Sequence, residues 1–363
     1  MKIGILTFHC AHNYGAVLQC YALQETLKSM GHDVEVIDYR PRFLVDPYKP
    51  FNIKWFIRRN IFKAIRIFIQ ECSIYKIRFN RYKVFNSFIN NKLNISSRVY
   101  KGIIPDKYDI YVIGSDQVWN KSLTNGDSIY WGNFRVSSNR RKITYAASME
   151  AQDIDANYAQ QISKYLDNFD FISVREYNLR DLLNSIYNKK KINVVLDPTF
   201  LAEKKIWTNI MIKPKRKKYV LIYEFAINEN TANIAKKIAS EMGADVLDIN
   251  VDLLYKKNNG VISLLDLSPE QFLGYFSEAC FIITSTFHGT AFSVIFNKPF
   301  YFIKIGNKDS QRVNTLLEDL NLSDRIISDR SLPKYIDIDY SKREKIMEKL
   351  RIKSLSYIRD ACN

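Results

Sequence analysis

The sequence predicts an α/β protein of two consecutive Rossmann-like domains facing a cleft. Three observations carry this. Short apolar, β-branched runs alternate with stretches whose apolar residues recur at helical spacing, and they do so in both halves of the chain. Several of those runs leave through polar turns, as strands do where a parallel sheet presents its carboxyl edge to ligands. Between the halves, Lys213-Pro214-Lys215-Arg216-Lys217-Lys218 interrupts the alternation and places a domain boundary within 200–218. The expected domains are 1–200 and 201–340, with 341–363 a C-terminal helix crossing back to the first.

In order, Lys2 to Phe8 reads as a strand and His9 to Gly15 as the turn after it. Ala16 to Met30 reads as a helix with Val17, Leu18, Tyr21, Ala22, Leu23 and Leu27 inward and Gly31 at its end. Asp33 to Tyr39 is the next strand, stopped by Pro41, so the sheet begins as a parallel βαβ unit. The first turn is not GxGxxG, and no dinucleotide site follows from it. Tyr108 to Ile113 is a strand leaving through Gly114-Ser115-Asp116-Gln117-Val118-Trp119-Asn120, a polar cluster with a Trp. Lys142 to Ala147 is a strand and Tyr158 to Asn168 a helix. Phe171 to Val174 is a strand running into Arg175-Glu176, followed by a helix through Leu179, Leu182, Leu183 and Ile186. Ile192 to Leu196 closes at Asp197-Pro198-Thr199, which reads as a turn.

The alternation then restarts with strand Tyr219 to Phe225, helix Asn230 to Met242, and strand Asp245 to Ile249. Helix Ser268 to Ala279 has Ser268 as its cap and Gln271 in its first turn. Cys280 to Thr284 is a buried strand, and after it the apolar spacing turns helical through Ala291, Val294 and Ile295. Asn297-Lys298-Pro299 stops that helix, and Phe300 to Ile305 is the following strand. Helices at Val313 to Leu320 and Ser341 to Ile358 end the chain.

His288 therefore sits in a strand-to-helix turn, beside the N–H groups of Gly289, Thr290 and Ala291 that a helix start leaves open. There it can bind an anion or pass a proton. The alternative is that Ser285 or Thr286 caps the helix and His288 fills a turn.

A composition of 47% hydrophobic and 25% charged residues fits a soluble globular protein, and no apolar run reaches the roughly 20 residues of a membrane span. The opening apolar run is too short for a signal peptide, and the expected compartment is the cytoplasm. Five scattered cysteines without a CxxC pair support neither a disulfide framework nor a cysteine zinc site, and no metal motif is present. The net charge of +16 is concentrated: Lys49 to Lys101 holds thirteen Lys or Arg against Glu71 alone, a local +12. The region 43–100 reads as a basic helical insertion in the first domain. One helix runs through Ile57, Ile61, Phe62, Ile65, Phe68 and Ile69, with Arg58, Arg59, Lys63 and Arg66 between them. A second spans Ile74 to Phe88. Such a pair either packs one face on the first domain with its cations solvated, or contacts an anionic membrane or acidic glycan through 43–101. No nucleic-acid motif accompanies the charge, and no nucleic-acid partner is expected.

Taken together, several segments resemble the polysaccharide pyruvyl transferase family. They are Asn13 to Gln19 with Tyr21-Ala22-Leu23-Gln24, Gly114 to Asn120, Ser173 to Glu176, Asp197-Pro198-Thr199 and Ser285 to Ser293, in order over nearly the whole chain. The resemblance implies a GT-B-like fold and transfer of the enolpyruvyl group of phosphoenolpyruvate to sugar hydroxyls, giving a pyruvate ketal in capsule, exopolysaccharide or cell-wall glycan. The donor is a substrate, so no cofactor is implied. The acceptor is a sugar, lipid-linked, nucleotide-linked or polymeric; a lipid-linked one, with the basic insertion, would bring the protein to the inner face of the cell membrane. The family's Arg and His that contact phosphoenolpyruvate map to Arg175 and His288. Asp116 is the candidate base for the acceptor hydroxyl. Trp119 suits a sugar face, and Gln117 and Asn120 its hydroxyls, with Ser115 beside them in the substrate-binding set. Asn13, Gly15, Glu176, Ser285, Thr286, Gly289, Thr290 and Arg312 complete the expected substrate-binding set, with His9 and His12 second in rank. Two other readings stay open: a GT-B glycosyltransferase using a nucleotide sugar, whose ribose-binding carboxylates the sequence does not single out, and a non-catalytic basic surface-binding module.

Overall fold

The computed structural model describes residues 1–51, 60–149, 154–216, 218–224, 229–250, 259–304, 310–328 and 333–363. Their internal contacts divide the chain into two compact units. One is Met1–Val45 with Ile89–Glu203 and Glu344–Asn363; the other is Asp46–Phe88 with Lys204–Arg343.

The first unit is built on a parallel sheet of β1 (Lys2–Leu6), β2 (Asp33–Asp38), β3 (Ile95–Arg98), β4 (Ile110–Asp116), β5 (Arg141–Ala147), β6 (Ile172–Val174) and β7 (Ile192–Val194). Its order is β3-β2-β1-β4-β5-β6-β7, every pairing parallel. Ile3, Ile5, Ile110, Tyr111 and Ile113 are wholly buried, as a sheet covered on both faces requires. The first helix, Tyr14–Ser29, starts two residues earlier than its apolar spacing suggests, because Asn13 Oδ1 accepts from Ala16 N–H (3.2 Å) and caps it. The last helix, Ser341–Cys362, belongs to this unit. Tyr357 donates to Thr144 O (2.8 Å), the Leu196 N–H donates to Ser354 Oγ (3.0 Å), and Arg141 donates to Ala361 O at the helix end.

The second unit holds β8 (Tyr219–Glu224), β9 (Asp245–Asn250), β10 (Ile262–Leu264), β11 (Phe281–Thr284), β12 (Phe300–Lys304) and β13 (Ile326–Ser328). Their order is β10-β9-β8-β11-β12-β13, again all parallel. Helix Pro269–Glu278 carries the capping box read from sequence, with Ser268 Oγ accepting from Gln271 N–H and Gln271 Oε1 from Ser268 N–H. Both sheets thus have the Rossmann winding the sequence predicts. Each reverses its strand order once, between β1 and β4 and between β8 and β11.

Two expectations are corrected. The two helices of the insertion are one, Ile61–Lys92, because Gln70-Glu71-Cys72-Ser73 contains neither proline nor glycine to break it; Ile57, Arg58 and Arg59 lie outside the described residues. By its contacts 46–88 belongs with the second unit, not the first domain: Arg81 donates to Asn250 O (3.3 Å) and Asn80 to Asp266 (3.1 Å). The boundary falls between Glu203 and Lys204, within the expected 200–218, and the helix Lys204–Ile210 follows it, its buried Trp207 meeting Phe292 edge-on at 5.3 Å.

Asp248, on β9, is 2% exposed beside β10. Burial pushes its carboxyl up from the usual 3.8 to about 6, against hydrogen bonds from Ser263 and the Leu264 N–H that pull it down. A raised carboxyl favours folding while it is protonated, and that contribution is lost as pH climbs from about 4 through 6. Asp248→Asn should remove the loss, raising stability by about 2–3 kcal/mol at pH 7.5 and by little at pH 4. Urea unfolding at the two pH values checks this; equal effects at both would contradict it.

Candidate functional site

In the first unit the polar side chains collect on the carboxyl edge of the sheet. Thr7, just past β1, donates to Ser115 O (2.9 Å), and Gln19 donates to Thr7 Oγ1 (2.9 Å). Ser115 donates to Ala146 O (3.1 Å) and to Asp197 Oδ2 (3.3 Å). Ser148, beyond β5, donates to Glu176 Oε1 (2.5 Å). At the centre lies Arg175, 4% exposed. Its Nη1 donates to Asp197 Oδ2 (2.7 Å), its Nε to Glu176 Oε1 (3.3 Å), and its Nη2 lies 3.7 Å from Asp116 Oδ1. Burial pulls the Arg175 pKa down, and Glu176, Asp197 and Asp116 more than offset this, so the guanidinium stays charged.

This network joins the tips of β1, β4, β5, β6 and β7, and the backbone at its middle is unusual. Asp116 has φ +74° and Ala146 φ +47°, in adjacent strands. Positive φ at non-glycine residues costs about 1–3 kcal/mol each and persists where the surroundings demand it. Gly114, at φ +114°, has no alternative: a Cβ there would stand 2.4 Å from Tyr145 O. Gly114→Ala should therefore cost about 2–4 kcal/mol and shift Asp116, two residues on. A urea midpoint unchanged from wild type would refute this.

The predicted residues divide by their access to solvent. Asn13, Asp116 and Gln117 are partly exposed. Arg175, expected to grip an anion, has the carboxylates of Asp116, Glu176 and Asp197 around it. Trp119 is wholly buried, stacked on Trp131 at 4.4 Å with its Nε1 donating to Tyr130 O, so it cannot offer a face to a sugar. Asn120 caps the short helix Lys121–Thr124 and donates to Gln117 Oε1 (2.6 Å). Gly15 lies buried in the first turn of Tyr14–Ser29. Ser115 and Glu176 are buried members of the network. His9 is also buried, its Nε2 2.9 Å from Asp38 Oδ1. Burial works to raise the Asp38 carboxyl, but hydrogen bonds from His9 and Arg40 hold it well below the usual range. His12 is buried as well.

In the second unit the turn from β11 leads into the helix Phe287–Ile295. Thr286 is the cap, accepting from Gly289 N–H (3.0 Å), and the Thr290 N–H donates to Thr286 O (3.1 Å). All three N–H groups expected to be open are therefore used by the helix itself, since Ala291 already lies a full turn inside it. Thr284 Oγ1 donates to Tyr223 O (2.6 Å) and accepts from Thr286 N–H (3.1 Å), tying β8, β11 and the helix start together. Gly289 packs so close that a Cβ would stand 2.1 Å from Thr284 Oγ1. Thr290 and Ser293 hydroxyls donate back to Thr286 O and Gly289 O. That leaves Ser285 and His288 as the partly exposed residues of this turn, with His288 Nε2 itself buried. Arg312 is half-buried in the first turn of Gln311–Asp319.

Two residues escaped the sequence reading. Asp197, read as a turn, does cap Pro198–Phe200 through Thr199 N–H (3.0 Å), but its other oxygen holds Arg175. Glu224 ends β8 at the strand-order reversal, wholly buried and accepting from Thr231 Oγ1 (3.3 Å). An acid inside the apolar run Tyr219 to Phe225 was the signal for it.

Fold and site together define a two-unit Rossmann-type α/β protein with polar constellations at both strand-order reversals. The sequence model for polysaccharide pyruvyl transferase matches residues 13–307, and the chain belongs to that family. No curated protein matches the sequence significantly. Similar solved structures include the UDP-GlcNAc 2-epimerase of Methanocaldococcus jannaschii in complex with UDP-GlcNAc and UDP, at TM-score 0.48 and 12% identity over 97% of this chain and 93% of that one. Arabidopsis thaliana UGT89C1 with UDP-L-rhamnose gives 0.45 and 10% over 98% and 94%. The E. coli heptosyltransferase WaaC with ADP gives 0.41 and 13% over 96% and 100%.

Proposed function

We propose that the protein transfers the pyruvyl group of phosphoenolpyruvate to two hydroxyls of a sugar, forming a pyruvate ketal during glycan synthesis. The observation that carries this is the family match over 13–307, which spans both polar constellations. In the balanced reaction the methylene carbon gains a proton and becomes a methyl. The central carbon loses its bond to the phosphate oxygen and gains one bond to each acceptor oxygen. One hydroxyl proton balances the one given to the methylene, and the other leaves with phosphate.

The roles are assigned from each residue's place at a strand tip or helix start. His288, early in its helix, holds the phosphate or delivers the proton to the methylene carbon. Asp116 accepts the proton of the attacking hydroxyl, and Gln117 and Asn13 bind the sugar. Arg175 acts as a positioning residue, holding Asp116, Glu176 and Asp197 in place. The free cysteines Cys10, Cys20, Cys72, Cys280 and Cys362 suit a reducing compartment, and we place the reaction in the cytoplasm.

The test is to incubate the protein with phosphoenolpyruvate and a panel of nucleotide-linked, lipid-linked and polymeric sugars in D₂O. Phosphate release matched by a ketal whose methyl carries deuterium supports the reading. Transfer of a glycosyl group from a nucleotide sugar, with phosphoenolpyruvate untouched, would replace it with the glycosyltransferase alternative.

A further inference from the structure

The helix Ile61–Lys92 has two apolar faces, and the fold uses one. Ile74, Phe85, Phe88 and Ile89 are buried against the protein. On the other side Ile61, Ile65, Phe68, Tyr75 and Phe79 recur at i, i+4, i+7, i+14 and i+18, with Phe62 and Ile69 beside them. At 100° per residue all seven fall within an arc of about 140°. Every one is exposed, from 40% at Phe79 to 80% at Phe62. Single exposed apolar residues are ordinary; a contiguous stripe of this size marks a contact surface.

Charge identifies the occupant. Lys63, Arg66, Lys76 and Lys83 are exposed on the same helix. Its only acid, Glu71, is buried and paired with Arg78 at 3.1 Å. Tyr75 and Phe79 stack at 5.9 Å, and Lys83 Nζ stands 5.4 Å over the Phe79 ring, so a cation is held against the apolar stripe itself. A second copy would set these cations against each other with no exposed acid on the helix to pair them. A neutral apolar partner would leave them unmatched.

We propose that this stripe docks the protein on an anionic lipid surface, the helix lying in the membrane plane with its apolar residues below the headgroups and its lysines at the phosphates. No described helix is long and apolar enough to cross a membrane, so the contact is peripheral. The inference is independent of the transferred group.

Vesicle flotation of the full chain tests it, comparing phosphatidylcholine alone with phosphatidylcholine mixed with phosphatidylglycerol. Wild type should float with the mixed vesicles and remain in solution with the neutral ones. Ile65→Ser/Phe68→Ser and Lys63→Glu/Arg66→Glu should each weaken binding by about tenfold or more while leaving the melting temperature unchanged. If the first pair disturbs the melt, Phe62→Ser/Ile69→Ser replaces it. Failure to bind mixed vesicles, or binding indifferent to both kinds of variant, overturns the proposal. So does sedimentation showing a dimer that the serine variants alone dissociate, since the stripe would then serve a second copy.

Discussion

Arg175→Met should cost about 3–5 kcal/mol of stability, the usual loss when one partner of a buried ion pair is removed. The side chain is 2% exposed and meets Asp197 at 2.7 Å, Glu176 at 3.3 Å and Asp116 at 3.7 Å. Methionine fills much of the same volume, so the loss comes from charge rather than from a cavity. Glu176 and Asp197 would remain buried without their cation. The double variant Arg175→Met/Asp197→Asn should regain part of the loss, because it removes the most deeply buried of those acids; a double-mutant cycle measures that coupling. Urea unfolding of the four proteins separates the two roles open to Arg175. A positioning residue lowers the midpoint sharply and shows coupling to Asp197. A cation that only grips phosphoenolpyruvate leaves the midpoint within about 0.5 kcal/mol and raises the donor's Kd instead. The second outcome would restore the role the family resemblance implies.

The sequence makes the inner strands legible and three of the four edges not, the apolar edge strand β7 being the exception. β1, β4, β8 and β11 are continuous apolar runs because both their faces are covered. β3, β10 and β13 were missed, and each is an outermost strand of its sheet, three or four residues long and carrying Ser or Arg. Such strands have little apolar pattern to read, since half their pairing edge is unpaired. The same limit governs the site. Thr286 as a cap and His288 at a helix start follow from local chemistry, so sequence alone places them. The burial of Trp119 follows from Trp131, and the work of Asp197 from Arg175, 22 residues earlier. No periodicity announces either pairing; the sheet makes them by bringing separate strand tips to one edge.

Replacing His288 should leave the fold alone and remove most of the activity. The helix start is secured by Thr286 and Thr284, whose hydroxyls bond Gly289 N–H and Thr286 N–H, and the imidazole takes no part in that capping. His288→Ala should therefore unfold within about 0.5 kcal/mol of wild type. Its turnover should fall by about 10²–10⁴, the usual worth of a positioned general acid, or about 3–5 kcal/mol in the barrier. Steady-state kinetics then distinguish the two tasks proposed for the ring. If it protonates the methylene carbon, kcat falls while KM for phosphoenolpyruvate stays near its wild-type value, since the interaction exists only in the transition state. If it holds the phosphate, KM rises, and His288→Asn, which keeps a donor but cannot deliver a proton at neutral pH, recovers part of the binding. Turnover within a few-fold of wild type in both variants would remove His288 from the chemistry and leave it as a turn residue beside the Thr286 cap.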